Sequence, residues 1–197
     1  MADHDWPAYA WSFPIGDGRR NVGYGELLRS SSINRTHLLD RLGMLLPDTD
    51  RGTITGLKAH HLPLSSRRPI AGRGRLLLAG DALSLINPFT GEGIFYAVVS
   101  GALAGQTATT GAANAGERYA QALRSRLGRH LRHTTALRRI ATKLWIVDAG
   151  VRAANRRQAT FDALVELGLG DGLITSRLIG SLISSGWAQR YLVPQVS

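Results

Sequence analysis

The sequence predicts an α+β chain in three parts: a β-rich antiparallel portion over residues 1–70, a strand–helix unit over 71–112 and a helical region over 113–197. Three observations carry that reading. Large and small residues alternate along Tyr9-Ala-Trp11-Ser-Phe13, the period of a half-buried strand. The apolar run Leu76-Leu77-Leu78-Ala79 stops at Gly80-Asp81 and is followed, after a loop, by an apolar segment of helical character. Beyond Gly116 the chain reads as helical to about Leu167.

Taken in order, Pro14 is expected to end the first strand, Gly16-Asp17-Gly18 to turn, and Asn21 to Gly25 to return, so residues 9–25 read as a hairpin. Leu38, Leu39, Leu42, Leu45 and Leu46 predict an amphipathic helix from Ser32 to Leu46, stopped by Pro47. Thr53 to Pro63 reads as extended because Thr53, Ile54 and Thr55 are β-branched. His60 and His61 have no third ligand at metal-site spacing, so no metal is assigned. Leu76 to Ala79 has the continuous apolar character of a strand covered on both faces. Glu92 to Gly105 reads as a helix whose small residues Gly93, Ala97, Gly101, Ala104 and Gly105 gather near one face and call for a close neighbour. Gly111 to Gly116 is a break, and the end of the chain reads as a glycine-punctuated tail.

Composition excludes several classes. With 44% hydrophobic and 19% charged residues among 197, the chain is expected to fold around a core. It has no cysteine, so disulfides, cysteine-ligated zinc and iron–sulfur clusters within it are excluded. The opening MADHDWPAYAW does not read as a secretory leader, and stretches such as Leu144 to Val147 fall far short of the ~20 apolar residues of a membrane span. The expected location is cytoplasmic, with peripheral membrane contact.

The string Leu76 to Gly93 carries the chemistry. An Asp at the end of a strand can accept hydrogen bonds from the hydroxyls of a ribityl chain, and Gly80 lets the backbone come near a cofactor. Gly91 and Gly93 open the next helix, so free N–H groups and the positive end of its dipole can face a flavin ring. The plainer alternative is a strand–turn–helix unit whose Gly and Asp serve only turn and cap.

In the form Gly80-Asp81 followed by Asn87-Pro88-Phe89-Thr90-Gly91-Glu92-Gly93, the string resembles the second FAD motif of flavoproteins related to para-hydroxybenzoate hydroxylase, and within them the geranylgeranyl reductase family. Tyr9-x-Trp11-x-Phe13-Pro14 followed by Gly23-x-Gly25 resembles a second motif of that same family. The resemblance runs from about Trp6 to Gly172, less specifically in the helical part that includes Leu167-Gly-Leu-Gly-Asp171. It implies a partial α/β FAD-binding fold in which 71–112 is the later half of the FAD domain and 1–70 the substrate side. FAD is the implied cofactor, bound in part by Gly80, Asp81, Pro88, Gly91, Glu92 and Gly93. The implied substrate is an isoprenoid lipid against Tyr9, Trp11, Phe13, Pro14, Gly23 and Gly25, with its carbon–carbon double bonds reduced by hydride from the flavin. No proton donor is assigned; Tyr9 is a candidate by chemistry alone.

An FAD-dependent aromatic hydroxylase or monooxygenase of the same fold is the alternative, and the aromatic string favours the reductase. A non-enzymatic basic remnant or membrane-binding module is the other. The family's Gly-x-Gly-x-x-Gly turn has no counterpart here, since Gly72-x-Gly74 precedes a strand instead of following one. The expectation is a gene fragment, a misassigned start or one half of a split enzyme that requires a separate FAD-binding half and is colourless and inactive alone.

The formal charge of +10 is concentrated late: residues 118–157 hold eleven Lys or Arg against the single acid Asp148. If 137–157 is one helix, Leu137, Ile140, Leu144, Val147 and Val151 form a stripe and Arg138, Arg139, Arg152, Arg156 and Arg157 lie opposite. A solvated outer face explains the arginines, and attraction to anionic lipid headgroups is the sharper reading. Nucleic-acid binding has no recognition motif beside the charge and ranks last.

Overall fold

Strands β1 (Ala8–Gly16) and β2 (Arg19–Glu26) pair antiparallel across Asp17 and Gly18, whose φ values of +51° and +70° are the left-handed pair that a two-residue hairpin loop requires. The computed structural model describes residues 8–27, 34–65 and 69–192, which fall into two units, Met1–His60 and His61–Ser197. In the first unit Pro14 does not end β1. It faces Arg20 in the ladder, and the strand runs on to Gly16 past a register irregularity. A two-stranded ribbon leaves one edge of each strand unpaired, so a proline nitrogen on that edge removes no ladder bond.

Helix α1 (Arg35–Leu45) is opened by Asn34, whose Oδ1 accepts the His37 N–H at 2.9 Å; Ser32, its expected start, lies outside the described residues. Leu42 is buried, and His37 Nε2 meets the two oxygens of Glu26 on β2 at 2.9 and 3.1 Å. The segment from Thr53 to Pro63 is not a strand. Asp50 accepts the Gly52 N–H at 2.8 Å and closes a 3₁₀ turn over Arg51–Thr53, and residues 54–63 join no ladder. The local bond from Asp50 outweighs β-branched propensity, which pays only where a neighbouring strand is at hand.

The second unit begins with a minimal hairpin of β3 (Gly72–Arg73) and β4 (Leu76–Leu77). A strand covered on both faces is not what forms: β4 has one antiparallel partner, and Leu76 is 65% exposed. Its order comes from α3 (Ala115–Ile140). The Gly116 N–H donates to the Gly74 carbonyl at 2.7 Å, and a Cβ on Gly116 would lie 2.3 Å from the Arg73 nitrogen.

Helix α2 (Ile94–Ala108) packs on α3 around a core of Leu83, Leu85, Tyr96, Tyr119, Leu123, Leu127 and Leu131. The small-residue face of α2 is met at its start, where Gly80 approaches Ala97 and Ile86 and Asp81 lie beside Gly93, and at Ala104, which packs against the core. Nothing among the described residues comes within 4 Å of where Cβ atoms on Gly101 and Gly105 would stand. A second core of Leu137, Leu167 and Leu178 joins α3 to α5 (Gln158–Leu169) and α6 (Ser176–Leu192).

Residues 137–157 do not form one helix. α3 ends at Ile140, a turn covers 141–143, and α4 (Leu144–Arg156) packs on α5 and α6. The turn resets the helical phase, so the expected stripe is dispersed: Leu137 is buried, Val151 is 64% exposed, and α4 buries Ala149 and Ala153 instead. Arg139, Arg156 and Arg157 are exposed, whereas Arg138 and Arg152 are half-buried. The expected tail contains helix α6. Thr175 opens it by accepting the Leu178 N–H at 3.2 Å, and buried Leu178 anchors it. No helix among the described residues is long and apolar enough to cross a membrane.

Two alanine substitutions are expected to move stability in opposite directions. Gly116→Ala drives a methyl group into the β3 backbone and should cost about 1–3 kcal/mol. Gly101→Ala faces open space in mid-helix and should gain about 0.5–1 kcal/mol. Urea unfolding midpoints check both, and shifts of the same sign would contradict the packing described.

Candidate functional site

The candidate site is built where the chain leaves β4 and enters α2. Gly80 is buried with φ of +54°, and its N–H donates to Ser100 Oγ on α2 at 2.9 Å. A Cβ there would stand 3.2 Å from that of Ala97, so glycine lets the turn lie directly on the helix. Asp81 follows in a 3₁₀ turn (Gly80–Leu83) and is exposed, with no side-chain hydrogen bond or ion pair among the described residues. Its Oδ1 lies 3.6 Å from where a Cβ on Gly93 would be. Asp81 and Gly93, twelve residues apart, are thereby neighbours at the start of α2.

The loop between them is pinned from below. Asn87 is fully buried; its Nδ2 donates to Tyr96 Oη at 3.0 Å and to the carbonyls of Leu167 and Gly168 at 3.1 Å each. Its Oδ1 accepts the Phe89 N–H at 2.9 Å, and its backbone exchanges bonds with Glu92 and Gly91. Thr90 Oγ1 donates to the Gly168 carbonyl at 2.7 Å. Asn87 and Thr90 therefore turn inward, where they satisfy the carbonyls that α5 leaves unpaired at its C-terminus. Pro88 is buried in the same loop, and Gly91 holds φ of +78°.

The expectation of free N–H groups at the start of α2 is corrected. Glu92 Oε1 accepts the N–H of Ile94 at 2.7 Å and of Phe95 at 3.2 Å. A carboxylate at this position satisfies two unpaired donors and suits the positive end of the helix dipole. Glu92 thus serves as the cap of α2, and the open side of the site is formed by Asp81 and Gly93.

Sequence reasoning left Tyr96, Ser100 and His130 without a role. His130 on α3 is 1% exposed, with Nε2 2.6 Å from Tyr96 Oη and Nδ1 2.6 Å from the Gly172 carbonyl. A carbonyl only accepts, so Nδ1 carries the proton and Nε2 accepts from the Tyr96 hydroxyl. Burial, helped by His133 and opposed by the Gly172 bond, holds the His130 pKa below its ordinary value and keeps the ring neutral. Burial likewise pushes the Tyr96 hydroxyl up to about 12. A lone histidine in a helix carries no mark of such a pairing.

The aromatic motif has its own geometry in the first unit. Tyr9 stands opposite Gly25 and Trp11 opposite Gly23 in the β1–β2 register, and the two rings lie 5.5 Å apart. A Cβ on Gly23 would fall 2.1 Å from Trp11 Cζ2, and one on Gly25 would touch the Tyr9 ring at 3.4 Å. The indole is fixed by Nε1 donating to Asn21 Oδ1 at 2.8 Å. The strand places Tyr9, Trp11 and Phe13 on one face, with Tyr9 46% and Phe13 62% exposed, while Pro14 is exposed beyond them.

Comparison with known proteins finds relatives that are named as reductases. A digeranylgeranylglycerophospholipid reductase of Methanocella arvoryzae is 33% identical over 143 residues, 69% of this chain and 36% of that protein. A menaquinone reductase of Mycolicibacterium smegmatis is 32% identical over 111 residues, 53% of this chain and 27% of that protein. The chloroplastic geranylgeranyl diphosphate reductase of Oryza sativa subsp. japonica is 32% identical over 106 residues, 54% and 22% of the two chains. The chain is a partial member of the geranylgeranyl reductase family, spanning about a quarter to a third of the length of these relatives. No family model matches it, and no solved structure matches it to significance.

A pH dependence follows from His130. Its folded-state pKa lies below the ordinary 6.5, so the unfolded chain binds the extra proton first as pH falls. The stability that His130 contributes is complete above pH 6.5, falls as pH drops below it, and levels off below the folded pKa. Denaturant midpoints from pH 7.5 downward should show this loss in the natural chain and a smaller one in His130→Gln; equal slopes would remove the buried neutral histidine from the account.

Proposed function

We propose that residues 76–93 address the ribityl and ring portions of FAD in a reductase of isoprenoid carbon–carbon double bonds. The observation that carries this reading is the Asp81 carboxylate, exposed and without a partner among the described residues, beside Gly93 at the opening of α2. A row of ribityl hydroxyls needs acceptors without competing partners, and Asp81 offers two oxygens. A side chain on Gly93 would fill the space next to Asp81 Oδ1, so glycine keeps the approach open. The donor set fits in part, because the N–H groups of Ile94 and Phe95 are held by Glu92 and bind nothing else. Gly80 and Gly91 supply the left-handed turns, and the Glu92 cap orients the start of α2.

When bound and reduced, FAD would supply the hydride that saturates the double bond. We assign the isoprenoid chain to the Tyr9–Trp11–Phe13 face, a flat apolar wall whose rings are held in place by the glycines opposite and by Asn21. The names of the relatives, all three reductases of isoprenoid compounds, support this reading over the hydroxylase alternative.

Asp81→Asn keeps the shape and removes the charge. It is expected to weaken FAD binding roughly ten- to hundredfold, from about 1.5–3 kcal/mol for hydrogen bonds to a charged group. Titration of the chain supplied with a separate FAD-binding half, followed by flavin fluorescence, reads this, and an unchanged Kd would end the Asp81 assignment. In the same reconstituted protein, Trp11→Ala should lower turnover of a geranylgeranyl substrate and leave flavin occupancy intact. Loss of occupancy with normal turnover in the remaining holoenzyme would make Trp11 a scaffold residue instead.

A further inference from the structure

We infer that Tyr96 and His130 are positioning residues for the loop 87–93: through Asn87 they latch it to the last turn of α5, setting where Pro88, Gly91, Glu92 and Gly93 stand without touching a ligand themselves. What the loop binds rests on the flavin reading, whereas what holds it rests on geometry alone.

The latch is a continuous chain of directed bonds. His130 Nδ1 donates to the Gly172 carbonyl, Tyr96 Oη donates to His130 Nε2, and Asn87 Nδ2 donates to Tyr96 Oη and onward to Leu167 and Gly168. It joins the loop, α2, α3 and the segment after α5, and Asn87, Tyr96 and His130 are at most 1% exposed. Asn87 Nδ2 shares its two hydrogens among three acceptors, and the Gly170 carbonyl lies 3.3 Å from Tyr96 Oη as a further acceptor, so the polar chain fixes the loop against several points at once where an apolar contact would tolerate sliding. Close packing reinforces it: a Cβ on Gly168 would meet Thr90 Cγ2 at 3.0 Å, and a Cβ on Gly172 would meet the Glu166 and Leu167 backbone at 2.7 Å. Arg126 of α3 pairs with Asp171, holding the same segment from its exposed side. None of these groups belongs to the open Asp81–Gly93 side, so the latch acts through the loop.

Hydrogen exchange on the full chain tests the latch, with mass spectrometry resolving residues 87–93, 168–172 and α4. Tyr96→Phe removes one hydroxyl and should accelerate exchange over 87–93 at least tenfold with α4 unchanged. His130→Gln, whose amide can both donate to Gly172 and accept from Tyr96, should retain most of the protection that His130→Ala loses. Asp81→Asn should leave the loop as protected as in the natural chain. FAD titration of the same proteins supplied with a separate FAD-binding half should give Tyr96→Phe at least a tenfold higher Kd, although Tyr96 is fully buried. Unchanged loop exchange in Tyr96→Phe and His130→Ala overturns the inference, and so does acceleration spread evenly over every helix, which would mean lost stability in place of lost positioning. An unchanged Kd in Tyr96→Phe also overturns it. Should the natural chain supplied with that half bind no FAD while loop exchange responds as stated, the flavin reading fails and the latch stands.

Discussion

A helix leaves its last carbonyls without intrahelical partners, and the second unit is organised around how α5 settles that debt. Glu166 accepts the N–H groups of Gly170 and Gly172 from the chain that follows. Leu167 and Gly168 accept instead from Asn87 and Thr90, about eighty residues earlier in sequence. A buried acceptor left unmade costs about 1–3 kcal/mol, so loop and helix end are each incomplete without the other. The same bonds bring Tyr96 and His130 into line and join the core around Tyr119 and Leu127 to the second core around Leu137 and Leu167.

This division of labour separates two kinds of residue within one short string. Asn87, Pro88 and Thr90 are turned toward the protein, and Glu92 is spent on the helix it opens. Asp81 presents a carboxylate uncommitted among the described residues, and Gly93 keeps the space beside it clear. A loop with the role proposed for this one has to be rigid where it meets the scaffold and bare where it would meet a ligand. Glu92 accepts from the first N–H groups of α2 and Gly80 turns the chain onto Ser100, whereas the Asp81 side chain caps nothing among the described residues.

The aromatic hairpin of the first unit uses the same economy. Gly23 and Gly25 lie across the ladder from Trp11 and Tyr9 because a ring laid flat over the partner strand leaves no room for a Cβ. The Tyr-x-Trp spacing and the Gly-x-Gly spacing are both two because alternate residues share a strand face, so the strings are two sides of one contact. Phe13, opposite Asn21, has no glycine beneath it and stands well into solvent.

What the sequence determined by itself was local. Period-two alternation around Asp17-Gly18 placed the hairpin, leucine spacing placed α1, and the Gly80-Asp81 and Gly91-Glu92-Gly93 groups marked the strand–turn–helix unit, because each signal is read from neighbours within a few residues. What failed was also local evidence pressed too far: β-branched residues at 53–55 without a strand to pair with, and one helical phase carried across the turn at 141–143. Only the tertiary structure decided that Asn87 and Thr90 close the end of α5 and that His130 is a neutral bridge between Tyr96 and Gly172. Hydrogen-bond partners some forty to eighty residues apart leave no periodic trace, since a buried donor is constrained by where its acceptor lies in space and not by what stands next to it in the chain.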